Sequence, residues 1–175
     1  MNTTGLNSKE SMNEILASAS EMEGKYLTFW IDKQLFGVPI ADVMQIVGMQ
    51  AITEIPEFPD YAKGIINLRG SIIPLIDVRL RINKAEEEYN ERTCIIVCSI
   101  NEKQLGFIVD EVNEVTAIDN ENIDPPPLIS ESSSNAYVTG VAKHGNNIVL
   151  LMDVCRMLTG ETLEGLLQAG SRAGE

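Results

Sequence analysis

The chain has 175 residues, which is enough for one compact domain or two small intergrown ones. Hydrophobic residues make up 44% and charged residues 22%, as in ordinary globular proteins rather than disordered or fibrous ones. The formal net charge of −13 repels phosphate backbones and anionic lipid headgroups, which argues against nucleic-acid binding and direct membrane insertion.

Signals for export and membrane insertion are missing from the sequence. No apolar run approaches the roughly 20 residues that a bilayer demands. The amino-terminal stretch MNTTGLNSKESMNE has neither a basic region nor an apolar one, so no secretory signal is predicted. An odd set of three cysteines, Cys94, Cys98 and Cys155, then favours reduced, buried thiols. We therefore expect a cytoplasmic protein.

Residues 1–24 are interpreted as an amino-terminal extension. Apolar side chains recur there at helical spacing, and Gly24 ends the pattern. The apolar positions are Met12, Ile15, Leu16, Ala19 and Met22. The extension is predicted to be a weak amphipathic helix on its own domain or a disordered segment; the alternative is an arm that binds a partner.

From Tyr26 onward the apolar pattern has the period of β-strands. A first series of strands is followed by a short segment that Asp77 would cap at its amino end, and then by a charged linker. The predicted strands are 26–31, 35–40, 43–47, 64–68 and 72–76, with the short segment at 78–82 and the linker at 84–92.

A second series of strands follows the linker. It contains a proline-bearing loop at 123–135, and from Asp153 the pattern changes to one or two short helices. The predicted strands are 93–100, 105–109, 112–118, 137–142 and 148–152. The last residues, 161–175, are predicted to form a helical or flexible tail.

The second series repeats the first. Residues 33–43 match residues 103–112 after one deletion, and several later residues match at a constant offset of 76. Those later pairs are Tyr61 and Tyr137, Gly64 and Gly140, Ile72 and Ile148, Leu75 and Leu151, Asp77 and Asp153, and Val78 and Val154. We infer two homologous β-rich halves, about 25–83 and 93–152, that share a core and leave a groove for binding.

Side chains that could carry catalysis are few. The only histidine, His144, stands beside glycine and asparagine in a predicted hairpin turn, so we interpret it as a turn residue rather than a general base. Cys94 and Cys98 face the same side of one strand, where packing explains them better than metal binding, which needs further Cys or His ligands. We predict no metal and no cofactor.

The acidic residues also fail to form a catalytic pattern. Asp77 and Asp153 occupy equivalent positions in the two halves, which is typical of helix caps rather than of a carboxylate pair. Asp110-Glu111 and the run 86–88 are interpreted as solvated charge. No nucleotide-binding, metalloprotease or nucleophile motif occurs in its required context. We therefore predict that the chain is not an enzyme.

The hairpin at residues 64–74 points instead to recognition. It is apolar and carries one arginine, Arg69, beside Gly70 at its turn, whereas the matching turn around Gly145 has none. Arginine combines a planar donor fork with an apolar stem, which suits it to protein interfaces, although a plain surface charge is the alternative. The residues predicted to shape turns and caps are Gly64, Gly70, Asp77, Gly140 and Asp153.

At this hairpin the sequence resembles the CheW family. The similar segments are Lys63-Gly64-Ile65-Ile66-Asn67-Leu68-Arg69-Gly70, Ile73-Pro74, Asp77-Val78-Arg79, Phe36-Gly37-Val38, Val43-Met44-Gln45-Ile46, Gly106-Phe107-Ile108-Val109-Asp110-Glu111-Val112 and Gly140. They occur in the family's order and cover residues 25 to about 160. The resemblance implies an all-β fold of two intertwined five-stranded SH3-like β-barrel subdomains with short terminal helices.

The resemblance also implies a function and two partners. The chain would be a non-catalytic adaptor that couples chemoreceptors (methyl-accepting chemotaxis proteins) to the chemotaxis histidine kinase CheA. It would contact the helical hairpin tip of the receptors and the regulatory domain of the kinase, and reach the membrane only indirectly through receptor arrays. The implied receptor contacts are Val43, Arg69, Cys94 and Val115, with Ile46 and Asn67 nearby; the kinase contacts would be the exposed apolar residues Val47, Met49 and Ile52.

Two positions depart from the family pattern. Gln45 stands where many relatives carry glutamate and Cys94 where valine is common, so the charged contact to a receptor is expected to differ. The alternatives are a module of a CheV-type or kinase-regulatory protein, a small-molecule enzyme in a double barrel, and an interaction domain outside chemotaxis. The chain has no room for a receiver domain after residue 160, which favours a free-standing adaptor.

Overall fold

The structure is a computed structural model that describes Asn13 and residues 24–126, 137–158 and 160–173. Strands predominate, so the predicted all-β fold is confirmed. In chain order they are β1 (Lys25–Ile31), β2 (Gln34–Pro39), β3 (Val43–Gly48), β4 (Ala62–Leu68), β5 (Ser71–Asp77), β6 (Cys94–Ile100), β7 (Lys103–Val109), β8 (Glu111–Ala117), β9 (Ile123–Asp124), β10 (Val138–His144) and β11 (Asn147–Met152).

The helical elements are short, except at the carboxyl end. Helix α1 (Val78–Arg81) follows β5, and helix α2 (Gly160–Ala173) occupies the predicted tail. Three 3₁₀ turns lie at Ile40–Asp42, Asn120–Asn122 and Val154–Met157. Within the described residues, no helix combines the length and hydropathy that membrane crossing requires. The helix predicted for residues 1–24 lies outside the described residues, apart from Asn13 and Gly24.

The strands form two sheets that each take strands from both sequence halves. Sheet A has the order β8-β1-β2-β11-β10-β9, and sheet B has the order β3-β6-β7-β5-β4. The parallel pairs β2–β11 and β5–β7 join the two halves inside each sheet, whereas the other pairs are antiparallel. The two sequence repeats, 25–83 and 93–152, therefore do not coincide with the two sheets, because each sheet contains strands from both repeats. This exchange of strands is the intertwining that was expected.

The two sheets repeat the same arrangement. Strands β3, β6, β7, β5 and β4 of sheet B correspond to β8, β1, β2, β11 and β10 of sheet A. The repeat extends to single hydrogen bonds, because the Asp77 N–H donates to the Tyr61 carbonyl at 2.7 Å and the Asp153 N–H donates to the Tyr137 carbonyl at 2.9 Å. Residues related in this way are called matched residues below.

One part of the sequence alignment was wrong by one residue. The β1–β2 turn consists of Asp32 and Lys33 and the β6–β7 turn of Asn101 and Glu102, all four at positive φ. Gln34, not Lys33, therefore matches Lys103, an offset of 69 residues that needs no deletion. The same offset places Gly37 opposite Leu151 and Gly106 opposite Leu75, which are themselves matched residues.

Three apolar clusters hold the sheets together. The shared core contains side chains from both sheets, among them Leu27, Phe29, Phe36, Ile46, Cys94, Ile96 and Phe107. The sheet B core consists of Ile66, Ile73, Leu75, Ile95, Val97 and Ile108. The sheet A core consists of Leu35, Ile118, Ala142, Val149 and Leu151. Strand β6 is buried on both faces since it lies between two cores, which explains its continuous apolar sequence.

An arginine connects matched parts of the two halves. The Arg81 guanidinium lies 5.8 Å from the ring centroid of Tyr61 and 5.4 Å from that of Tyr137, which are matched residues. Its Nε donates to the Met157 carbonyl, and Met157 is the residue matched to Arg81 itself. Guanidinium–aromatic contacts of this kind contribute about 0.5–2 kcal/mol each. Arg81 therefore contacts both halves and stabilises their association at the matched residues Tyr61 and Tyr137.

Candidate functional site

The β4–β5 hairpin carries the arginine that the sequence singled out. Leu68 pairs with Ser71, which leaves Arg69 and Gly70 as the two turn residues, at φ +53° and +91°. Positive φ at both central residues is the pattern of a type I′ turn. Asn67 supports this turn, because its Oδ1 accepts the Gly70 N–H at 2.8 Å. Asn67 and Arg69 are both exposed, so the hairpin presents two polar side chains to solvent.

Gly64 allows a close backbone contact beneath this hairpin. Its φ is +141°, and a Cβ there would lie 2.1 Å from the Thr53 carbonyl oxygen. Thr53 and Ile65 exchange two backbone hydrogen bonds of 2.9 and 2.8 Å. At the matched Gly140 a Cβ would meet a side-chain atom instead, the Ile123 Cγ2 at 2.6 Å. Glycine is required at both positions for space, and at Gly64 also for conformation.

Four of the six predicted receptor residues belong to the shared core. Ile46 and Cys94 are buried in it, with 2% and 5% of their surface exposed, whereas Val43 and Val115 pack against it and stay partly exposed. Ile46 pairs with Ile96 across β3 and β6, and Val115 pairs with Leu27 across β8 and β1. Ile46 and Val115 are thus matched residues on the outer strands of the two sheets.

The other two receptor candidates lie elsewhere. Asn67 and Arg69 are at the turn of the β4–β5 hairpin, and Leu68 between them packs against the sheet B core. Strand β4 is at the opposite edge of sheet B from β3. The six candidates therefore divide into a set at the shared core and a set at the hairpin turn.

The three predicted kinase residues come together at one core. Val47, Met49 and Ile52 all pack against the sheet B core, together with Leu68 and Tyr89. They were expected to be exposed, and this was wrong, because each is half-buried. The side chains on that face of β3, and those of the segment that follows it, cover the end of the sheet B core. The more exposed apolar residue of β3 is Met44, at 48%.

Asp77 and Asp153 occupy matched cap positions. The Asp77 Oδ1 accepts the Leu80 N–H at 3.2 Å at the start of α1, and the Asp153 Oδ1 accepts the Cys155 N–H at 2.8 Å at the start of the 3₁₀ turn Val154–Met157. Asp77 is buried and also accepts the Tyr89 hydroxyl at 2.8 Å. This hydrogen bond and the burial of the ring raise the pKa of Tyr89, with burial as the larger cause.

The sequence did not reveal an ion-pair network around the buried Arg79. Only 8% of Arg79 is exposed, and its guanidinium lies 2.5 Å from Asp110, 3.1 Å from Glu87 and 3.6 Å from Asp32. The hydrogen bonds that Arg79 donates to Asp110 raise the pKa of Arg79 against the opposing effect of burial. Asp110 also accepts the Asp32 N–H at 2.8 Å. The network thus ties α1 to the linker and to two strand ends.

The acidic runs are largely exposed, as predicted for Glu86, Glu87, Glu88 and Glu111, whereas Asp110 is partly buried against Arg79. Asp110 and Glu87 neutralise a buried cation, and Glu86 pairs with Lys63 at 2.7 Å. A polar cleft of about 290 Å³ lies beside the network, lined by Arg79, Glu87, Tyr89 and Asp110 among others. No local sequence pattern indicated the network, because Arg79 and Asp110 are 31 residues apart.

Two of the side chains considered for catalysis, His144 and Cys98, have surroundings that explain them structurally. The His144 Nε2 lies 2.5 Å from the Glu114 Oε2, at the end of β10. Burial, with smaller effects of Asp42 and Cys155, raises the pKa of the Cys98 thiol. A thiol in such surroundings holds little thiolate at neutral pH and is a poor nucleophile.

Comparisons with known proteins agree with this architecture. The family model described as CheW-like domain matches residues 25–162. The chain is 31% identical to a chemotaxis protein CheW of Klebsiella aerogenes over 153 residues, which covers 85% of this chain and 92% of that one. It is 28% identical to a chemotaxis protein CheW of Bacillus subtilis over 138 residues, covering 79% and 88%.

A solved structure is similar as well. The scaffolding protein TtCheW from Thermoanaerobacter tengcongensis superimposes with a TM-score of 0.69 at 37% identity, covering 75% of this chain and 90% of that one. Sequence and fold therefore lead to the same family over most of the chain. The protein belongs to the CheW-like family of chemotaxis scaffold proteins.

Proposed function

We propose that this chain couples chemoreceptors to the chemotaxis histidine kinase CheA by binding both at once. The receptor's helical hairpin tip would contact the partly exposed edge of the shared core, at Val43 and Val115. The regulatory domain of the kinase would contact the end of the sheet B core, at Val47, Met49 and Ile52. The chain would work in the cytoplasm and reach the membrane only through the receptors.

The observation that carries this proposal is that β3 contributes to both surfaces. Val43 and Ile46 pack with the shared core, whereas Val47 packs with the sheet B core. Side chains of a regular strand alternate between its two faces, and the register irregularity between Val43 and Gln45 brings Val43 to the same core as Ile46. One strand can therefore touch two partners on opposite sides. A partner bound on one face of β3 would then be held at a fixed distance from a partner on the other.

The proposed role needs geometry and no bond-making chemistry. Each contact can be weak, because repeated attachment in an array raises the overall affinity. Signal transfer requires that the active and inactive states of the kinase differ in their contacts with the adaptor. The half-buried aliphatic side chains at both surfaces support this role, since such side chains are accessible without destabilising the free protein.

The test is reconstitution with a chemoreceptor cytoplasmic fragment and the kinase, with kinase autophosphorylation as the readout. Val43→Lys should weaken receptor binding at least tenfold and leave binding of the kinase regulatory domain unchanged. Val47→Lys should do the reverse. Met44→Lys is the matched control on the same strand, since Met44 is already 48% exposed. The proposal fails if wild-type protein does not alter autophosphorylation, or if both folded variants bind both partners normally.

A further inference from the structure

A side chain of the amino-terminal extension is hydrogen-bonded to the backbone of β3. The Asn13 Oδ1 accepts the Ile46 N–H at 2.8 Å, and the Asn13 Nδ2 donates to the Ile46 carbonyl at 3.1 Å. The carboxamide thus satisfies both polar groups of a single peptide residue 33 positions away in the sequence.

The contact lies on the free side of an edge strand. Among the strands that the structure describes, β3 is the outermost of sheet B and pairs with β6 alone. Ile46 stands opposite Ile96 of β6, but its N–H and carbonyl are both directed to Asn13, so they point away from β6. Unpaired groups on such an edge are a template for another chain. The Asn13 side chain makes the two hydrogen bonds with Ile46 that a neighbouring strand would otherwise make.

The position of the contact connects it to the proposed receptor surface. Ile46 is one of the residues that the family resemblance assigns to receptor binding, and its side chain is buried in the shared core beside the partly exposed Val43. With 2% of Ile46 exposed, a partner at this site could contact little more than the strand edge and the side chains around it. Asn13 already occupies part of that edge.

The chemistry of the extension is suited to the same surface. Asn13 has a helical backbone conformation, and the apolar positions predicted from sequence around it, Met12, Ile15 and Leu16, have helical spacing. The proposed receptor partner is also a helix. The segment that carries Asn13 and an external helix would therefore compete for one strand edge.

We propose that the amino-terminal extension is an internal competitor of the receptor, anchored on β3 by Asn13. Receptor binding at this edge requires that the anchor be released, so the apparent affinity for the receptor is the intrinsic affinity multiplied by the fraction of molecules in which the anchor is open. Binding of the kinase at the sheet B core is unaffected by the anchor. This inference rests on the proposed receptor-coupling function.

The experiment compares full-length wild type with Asn13→Ala and with Asn7→Ala, the same chemical change elsewhere in the extension. Loss of two neutral hydrogen bonds should accelerate amide exchange at Ile46 about tenfold and tighten binding of a chemoreceptor cytoplasmic fragment about tenfold. Binding of the kinase regulatory domain should not change, and Asn7→Ala should behave as wild type. Exchange is followed by NMR and both affinities by calorimetric titration.

The outcomes separate the inference from the function on which it rests. If exchange at Ile46 accelerates in Asn13→Ala but receptor affinity is unchanged or weaker, Asn13 only closes the strand edge and competition is disproved. If exchange does not change, the anchor is absent in solution and the inference fails directly. If wild type and Asn13→Ala both fail to bind the fragment while exchange still accelerates, the receptor-coupling function is wrong and the competition fails with it.

Discussion

The two matched hairpins, β4–β5 and β10–β11, have the same strand pairing but different turns. At the first turn residue the former has Arg69 at φ +53° and the latter has Gly145 at φ +63°. Left-handed backbone costs a non-glycine residue about 1 kcal/mol, a cost that glycine avoids. Both first turn residues have a positive φ, a backbone conformation that favours glycine, so the turn geometry does not select an arginine at position 69. The difference marks the Arg69 side chain as a candidate for binding.

The strand-to-helix corners that follow these hairpins show the same contrast. Both corners use an aspartate cap, Asp77 and Asp153, and both donate a backbone N–H to a matched tyrosine. Two residues later the halves diverge, since the buried Arg79 pairs with carboxylates and the matched Cys155 is exposed. Features present twice are those that the repeated fold requires. A feature present in only one half must be explained differently, either by the stability of that half or by binding to a partner.

Among matched positions, we expect substitutions at Gly64 and Gly140 to differ most in their effect on the free energy of unfolding. Gly64→Ala should lower the free energy of unfolding by about 3 kcal/mol or more, because the new Cβ meets a backbone carbonyl and the φ of +141° is strained for alanine. Gly140→Ala should cost about 1–2 kcal/mol, because Ile123 can move aside. Urea unfolding measures both. Equal costs, or a larger cost at Gly140, would contradict the assigned role of the Thr53 contact.

The second contrast is between the ion pairs of the two corners. Asp110→Asn should cost about 2 kcal/mol, since it removes the charge nearest to the buried Arg79 without changing shape. Arg156→Gln should change stability by less than about 0.5 kcal/mol, because its contact with Asp153 is at 3.6 Å on the surface. The measurement is urea unfolding at low and at high salt. The idea fails if Asp110→Asn is as harmless as Arg156→Gln.

The strand pattern and the fold class could be predicted because they depend on local periodicity and on repeated signals. The hairpins, the two caps and the offset of 76 between Tyr61 and Tyr137 all come from residues close in sequence or matched in type. The error at Lys33 and Lys103 has a physical cause. Identical side chains at exposed turns were aligned, whereas the register is set by the buried glycines, Gly37 and Gly106.

The candidate site was less predictable because it depends on contacts between distant residues. Arg79 and Asp110 are 31 residues apart, and no local pattern indicates that they form a buried pair. Val47, Met49 and Ile52 looked exposed because strand alternation does not show that β3 covers the end of a second core. The anchor at Asn13 was missed for the same reason, since one asparagine in a weak helical pattern carries no sequence signal of its own.

The turn contrast itself can be tested by making the two hairpins alike. Arg69→Gly should leave stability within about 0.5 kcal/mol of wild type, because the relieved left-handed strain and the entropy cost of glycine offset each other. It should nevertheless weaken chemoreceptor or kinase coupling about tenfold, as loss of an interface arginine does. Thermal melts and the reconstituted kinase assay measure the two effects.

The reciprocal change supplies the control for the turn. Gly145→Ala places a side chain at φ +63° and should destabilise the protein by about 1 kcal/mol without affecting coupling. If Arg69→Gly unfolds the hairpin, or if it couples receptor and kinase as wild type does, the distinction between a structural turn and a binding turn does not hold.

The smallest expected effect is on the alkylation rate of Cys155, the residue matched to Arg79. Partial desolvation raises the pKa of Cys155, and the nearby carboxylates of Asp153 and Asp42 raise it further. Asp153→Asn removes one negative charge while its Oδ1 can still accept the Cys155 N–H, so the pKa of the thiol should fall. The thiolate fraction at pH 8 then rises, and alkylation should be about two- to threefold faster. The remote change Asp119→Asn is the control.

The pH profile decides whether charge or exposure is responsible. If Asp153 acts through its charge, Asp153→Asn shifts the alkylation profile of Cys155 to lower pH, and the two proteins reach the same limiting rate at high pH. A loosened 3₁₀ turn would instead raise the rate by the same factor at every pH, because access and not ionisation would have changed. Since the buried Cys98 is protected in the native protein, its modification in the same mass spectra reports any unfolding. A uniform rate increase, or labelling of Cys98, would show that Asp153 matters to this corner as a cap alone.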